Sequence, residues 1–440
     1  MARLNFARNI LPAPKWLLIR RNGSTTYLPP IDRNRVLHLC EDGMSKDFAA
    51  TINTSDLQIG TTLSFDLLDN AGVVLHKAGL PISERLLERL ASKGIHSLRI
   101  IGRIPSAPKN PKELLLSSYD SRVVDNIKNA ATRAENALCN MAGAILNGVA
   151  IDTQEIKSSV SNIVEQAAID ASATLAIMAA RATPRHAQLQ NRLTNRSANM
   201  AMLAVTTSMV MGCSPVETQE VGLAGMLHDS SLIANSDRLE RAERNSPRVL
   251  LELRNHALDS AETLRSSNGI NERVCLALSQ VHEQFDGSGY PRGTAGSQIL
   301  TSAKILNLAD AYLSLVQPIF KDKQYLPSDA IAHLVHHAAL RRFEPQVVKA
   351  FIAGLSMYPI GSQVSLDDSS EAIIVRSDPK NPLKPMVKLT GGSNTEIDLS
   401  KSDRSIKGPS TQIDPSVLRI SKTMMDQQLW RDDVGVLASA

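Results

Sequence analysis

Residues 197–216 carry no charged side chain. A run of that length is long enough to cross a bilayer, but it contains Asn199, Thr206, Thr207, Ser208, Gly212, Ser214 and Pro215. The expectation is therefore a helix buried on all sides inside a helical core, not a membrane span. Hydrophobic residues make up 43% of the 440-residue chain and aromatics only 3%. The core must then be packed by Leu, Ile, Val, Ala and Met, which suits helices better than sheets. A net charge of +4 is too small to imply nucleic acid. Cys40, Cys139, Cys213 and Cys275 are far apart and form no pair motif, as expected of reduced thiols in a cytoplasmic protein. Pro12 and Pro14 interrupt the N-terminus and no long apolar run follows, so no signal peptide is expected.

The fold expected is mainly α, with a small α+β module before the helices and a β-rich appendage after them. Residues 1–50 read as an irregular basic segment. In 51–105, two strand-like runs flank Asp69-Asn70-Ala71-Gly72, a hairpin-like turn signal. A helix over 82–93 stops at Gly94, and a strand returns over 95–101. Residues 106–169 read as a proline-bearing linker and a helical stalk, with Ala-rich helices over 114–146 and 153–180 that form an antiparallel pair or a dimer contact. The helical domain is placed at 170–357, with helices at 188–211, 215–228, 247–266, 272–284, 302–316, 328–341 and 345–352. Strands are expected at 363–366, 371–376, 386–389 and 396–399 within an appendage and tail spanning 358–440. The last forty residues are weakly patterned.

Chemistry-bearing residues recur through the helical part. His228 and Asp229 are adjacent at a helix end, followed by His256, His282 and Asp310, each on a different expected helix or helix end. A bundle can turn such residues onto one point, where imidazoles and a bridging carboxylate suit one or two metals. Singly, each is better explained as an ordinary polar residue. The ordered set is hard to attribute to coincidence, because Asp286-Gly287-Ser288-Gly289-Tyr290-Pro291 stands between the last two ligands. That loop by itself shapes a connection between helices. His333, His336 and His337 share a helix and read as surface histidines.

This set resembles the HD-GYP family over roughly 170–357. The resemblance implies an all-α HD-type bundle that hydrolyses the bacterial second messenger cyclic di-GMP with two or three bound metals, often iron or manganese. It also implies His228, Asp229, His256, His282 and Asp310 as metal ligands, with Asp229 catalytic if the site is active. The departures are as informative. Arg196 stands where the family has a ligand His, Arg192 where some members have an acidic residue, and Val281 where a second consecutive His is usual. Leu232 replaces a phosphate-reaching Lys, and Ile319 and Asp322 fall where arginines grip the dinucleotide. Losing those cations removes the electrostatic part of phosphodiester hydrolysis, usually its largest contribution.

The reading is a bacterial signalling protein with a degenerate HD-GYP domain. It acts through a protein partner, less readily through cyclic di-GMP, and holds at most one divalent metal or none. A homodimer is compatible with it. The alternative is a working cyclic di-GMP phosphodiesterase with an unusual ligand set. Arg196 either replaces the metal's charge between Asp229 and Asp310, or snorkels to solvent.

Overall fold

The structure, a computed structural model, describes residues 17–21, 24–28, 47–103 and 110–431, apart from short stretches at 58, 60–65, 78–79, 81, 182–186, 244–245, 268, 321–322, 391–394 and 411–416. The chain divides into two units, Met1–Pro108 and Lys109–Ala440.

In the first unit, β1 (Leu17–Arg21) and β2 (Ser24–Leu28) pair antiparallel. The irregular reading of 1–50 is thus corrected here. Asn22-Gly23, which lies between the two strands, is a hairpin signal that reading passed over. Strands β3 (Asp47–Asn53), β4 (Asp66–Leu68), β5 (Val74–His76) and β6 (Ser97–Arg103) form a sheet in the order β3-β6-β4-β5. Helix α1 (Glu84–Ser92) starts where the Ser83 side chain accepts from the Leu86 N–H. Leu57, Leu67, Ile82, Leu86, Leu90 and Leu98 fill its small core.

The second unit is helical around one long apolar helix. It begins with α2 (Pro111–Leu116), α3 (Ser121–Asn147), α4 (Gln154–Ile169), α5 (Ala171–Ala180) and α6 (Leu189–Val210). The helix expected over 114–146 is two helices, because Asp120 caps a new start at Ser121. The helix expected over 153–180 bends by 120° at Asp170, which caps α5. Every residue of α6 from Arg196 to Ser208 is buried, and α3, α4 and α5 pack against it. The expected stalk over 106–169 is therefore corrected: Ala130, Ala131, Ala134 and Ala137 of α3 lie in the same core as α6. No single helix among the described residues is long and apolar enough to cross a membrane.

The bundle continues through α7 (Pro215–Leu227), α8 (Ser230–Ala234), α9 (Ser236–Arg241), α10 (Pro247–Arg265), α11 (Glu272–Ser279), α12 (Thr301–Val316), the short strand β7 (Gln324–Tyr325), α13 (Pro327–Ala339) and α14 (Pro345–Leu355). Strands β8 (Gln363–Leu366), β9 (Glu371–Arg376), β10 (Met386–Leu389), β11 (Glu396–Asp398) and β12 (Ile406–Pro409) then form an antiparallel sheet in the order β11-β10-β9-β8-β12. The sheet is fused to the bundle. Ile373, Ile374 and Val375 join the common core, and Arg376 pairs with Asp170 at 2.9 Å.

The tail is more ordered than its weak pattern suggests. Strand β13 (Val417–Leu418) pairs parallel with β7, and Leu429 and Trp430 are buried. His333 and His337 are buried too, not on the surface as expected, because Trp430 packs over them.

Candidate functional site

Helix α7 opens with a reciprocal cap between Ser214 and Glu217 and Pro215 in its first turn. It lies close to α6 because Gly225 has no side chain: a Cβ there would meet the Ala201 backbone at 3.3 Å. This approach brings His228 and Asp229, at the end of α7, beside Arg196 of α6. His256 comes from α10, His282 from the turn after α11, and Asp310 from α12. The structure brings all six together, and all but His228 line one pocket.

Backbone carbonyls set two of the imidazoles. His228 Nδ1 donates to Gly225 O at 2.8 Å, and His256 Nδ1 to Leu253 O at 2.6 Å. Each ring is thereby turned with Nε2 facing inward, the orientation of a metal-ligating imidazole. His228 Nε2 lies 3.1 Å from Asp229 Oδ2 and 3.9 Å from Asp310 Oδ1. His256 Nε2 lies 3.3 Å from Asp229 Oδ1 and 3.1 Å from His282 Nε2. His282 Nδ1 is 3.7 Å from Asp310 Oδ2.

The Arg196 guanidinium points inward. Nη2 donates to Asp310 Oδ1 at 2.5 Å, to Ser314 Oγ at 2.8 Å and to the Asp310 carbonyl at 3.2 Å. Nε is 3.9 Å from Asp229 Oδ2. Burial opposes ionisation of Asp229, but His228, His256 and Arg196 outweigh it and hold the carboxyl well below its usual range. Burial likewise opposes ionisation of Asp310, and Arg196 first, then His282 and His228, lower its pKa. Burial and the neighbouring His256 push His282 down to about 3. Burial also pulls His228 down, but Asp229 and Asp310 reverse that and raise it.

The loop after His282 closes one side of the site. The Tyr290 N–H donates to His282 O at 3.2 Å, and the two rings stack with centroids 4.9 Å apart. Gly289 is required there, since a Cβ would meet Gln284 N at 2.2 Å and Glu283 Cα at 2.5 Å. Gly287 turns with φ +83°. Asp286 pairs with Arg342 at 2.8 Å, while Pro291 ends the run. Glu283 accepts from the Arg292 N–H at 2.8 Å and so braces the loop.

The positions that depart from the family sort by location. Leu232 and Ile319 line the pocket with apolar surface. Val281 is buried in the apolar core. Arg192 donates to the Pro318 and Ile319 carbonyls. Asp322 lies outside the described residues. Sequence reasoning missed Ser314, Trp430 and Arg431, which also line the pocket. Ser314 had a signal, being one turn beyond Asp310 on the same helix face.

Residues 175–347 match the family described as the HD domain. Cyclic di-GMP phosphodiesterase PA4108 of Pseudomonas aeruginosa is 24% identical over 70% of this chain and 73% of its own length. Cyclic di-GMP phosphodiesterase PdeB of Borreliella burgdorferi is 26% identical over 49% of this chain and 56% of its own length. Among solved structures, Bd1817, a HDG"Y"P protein from Bdellovibrio bacteriovorus, aligns with 69% of this chain and 98% of its own, at 17% identity and a TM-score of 0.41. The fold and site thus define an HD-domain protein. Within that class, the similarity to the cyclic di-GMP phosphodiesterases supports an HD-GYP family member.

Proposed function

We propose that this HD-GYP signalling protein is a degenerate member, acting through a protein partner with little or no hydrolysis of cyclic di-GMP. The observation that carries this reading is Arg196. It stands where the resemblance puts a ligand His, and its guanidinium meets Asp310 at 2.5 Å and Asp229 at 3.9 Å. Two buried carboxylates without a cation would repel each other in a poor dielectric. A planar, permanently charged guanidinium relieves that repulsion without a metal.

HD-type phosphohydrolases are metal-dependent, and the residues present do not fit a two-metal centre. Among the described residues, no three His, Cys, Asp or Glu side chains are disposed to hold one ion. A fixed cation already lies against Asp310, and a metal brought there would be repelled by it. Leu232 and Ile319 also line the pocket with apolar surface where the family places phosphate-binding cations, leaving Arg196, already paired with Asp310, and Arg431 as the arginines that line it. The apolar residues at those two positions, with Arg196 engaged by Asp310 and Arg431 by the Ser288 carbonyl, argue for a protein partner over the nucleotide, whose phosphates are usually gripped by bidentate arginines.

Two observations favour the alternative, an active phosphodiesterase. His228 and His256 keep the orientation that turns Nε2 inward, and the curated relatives are named as cyclic di-GMP phosphodiesterases. Calorimetry with cyclic di-GMP separates the two readings. The degenerate reading expects no heat of binding at micromolar concentrations, and micromolar or tighter binding overturns the preference for a protein partner.

A further inference from the structure

We propose that residues 417–431 form a strap that closes the pocket over His256, His282 and Asp310, and that must leave before anything of nucleotide size enters. The inference rests on reading that pocket as the HD site, and concerns its regulation.

The strap is laid along α13 and ends in the site. It begins where β13 pairs with β7. Arg419 Nε and the Ile420 N–H both donate to Asp329 Oδ2, at 2.7 and 2.9 Å. His337 Nε2 then donates to Met425 O at 2.9 Å and lies 3.2 Å from Gln427 O. His336 Nε2 meets Asp426 at 2.9 Å. The Trp430 indole seats between His337, Phe343 and His333, with ring centroids 4.5, 5.0 and 5.4 Å away.

The last residues reach the GYP loop. Gln284 Nε2 donates to Gln428 Oε1 at 3.3 Å, and Arg431 Nη2 donates to Ser288 O at 3.0 Å. The Arg431 guanidinium also lies 5.7 Å from the Tyr290 ring centroid. Trp430 and Arg431 are therefore walls of the same pocket as Asp229, His256, His282 and Asp310. With them seated, the cavity measures ≈ 70 Å³. A water needs roughly 10–15 Å³ on this scale, so the space holds a few waters and not a dinucleotide.

The attachment suits reversible release. The β13–β7 pairing involves only two residues of each strand. Asp426 is 85% exposed, so its pair with His336 is solvent-screened and weak. The strap's apolar anchors are the buried side chains of Leu429 and Trp430, with Ile420 and Met424 partly buried against the core. A segment joined to the fold by a two-residue ladder, a few side-chain hydrogen bonds and two buried side chains can open locally, without global unfolding.

The test is the rate at which diethyl pyrocarbonate modifies His256 and His282 in the full chain, read by peptide-resolved mass spectrometry, with His76 of the N-terminal unit as internal control. Trp430→Ala and Arg431→Ala should each speed modification of His256 and His282 by at least ~10-fold over wild type, as expected when a local opening step is removed, leaving His76 unchanged. Equal rates in folded variants overturn the proposal. If Trp430→Ala fails to fold, Arg431→Ala carries the comparison. Hydrogen exchange of the wild type supplies a second measure. Amides of 417–431 should exchange well before those of α6, and exchange of both together, only on global unfolding, also overturns the strap. Neither readout depends on turnover, so an active enzyme would refute the degenerate reading while leaving the strap standing.

Discussion

Replacing Arg196 by Ala removes a cation that is 6% exposed, leaving side chains of Asp229 and Asp310 that are 5% and 15% exposed. Breaking a buried ion pair by deleting one partner costs about 3–5 kcal/mol, because the other charge stays buried. Two features place this case at the lower end. Asp310 admits some water, and His228 lies 3.1 Å from Asp229 and can take up a proton to supply part of the lost charge. The expected loss is therefore about 3 kcal/mol. Urea denaturation followed by helical circular dichroism reads it, since the helices belong mostly to the larger unit. Manganese should restore part of the loss in the variant but not stabilise wild type comparably. A site filled at one hundred times its dissociation constant gains about 2.7 kcal/mol. A loss under ~0.5 kcal/mol, with no metal response, would refute the idea that Arg196 stands in for a metal.

Two further outcomes follow from this cluster and the buried histidines. Protein purified without chelators should contain at most one tightly held transition metal per chain, and elemental analysis finding two or more at this site would contradict the ligand account. Stability should also fall as pH drops from about 7 to about 5. His282 and His333, held near 3 and 4 by burial first, stay neutral in the folded state while their unfolded forms take up protons below 6.5. His228, raised in the fold, opposes this, being stabilising below its unfolded pKa and losing that contribution as pH rises. The net loss is on the order of 2 kcal/mol, and a flat or rising profile in urea titrations at the two pH values would refute the assignment.

Much of this architecture was legible because it rests on local signals. The uncharged run from Ser197 marked the helix around which the bundle is built, and Ser214-Pro215 marked the start of the helix carrying His228. Capping by Asp120 and Asp170 broke two long helical patterns, a signal present in the sequence but outweighed by uninterrupted Ala-rich periodicity. Five of the clustered side chains were legible as a set, since their order matched a known motif, and Arg196 was legible as a departure from it. Their distances were not, because these depend on how closely α6 and α7 approach at Gly225. The contribution of Trp430 and Arg431 had no local signature. A tail about as polar as any loop reaches the site through pairing with β7 and a seat on α13, and these contacts lie far apart in sequence. The burial of His333 and His337 is a consequence of that same tail.

Steady-state hydrolysis of cyclic di-GMP, with iron or manganese supplied, tests the central claim most directly. The account predicts very slow or absent turnover, because Arg196 replaces a ligand and apolar Leu232 and Ile319 line the pocket where phosphate-binding cations are needed. Turnover on the order of ~1 per second, within the ordinary enzyme range, would contradict it and make this chain a working phosphodiesterase.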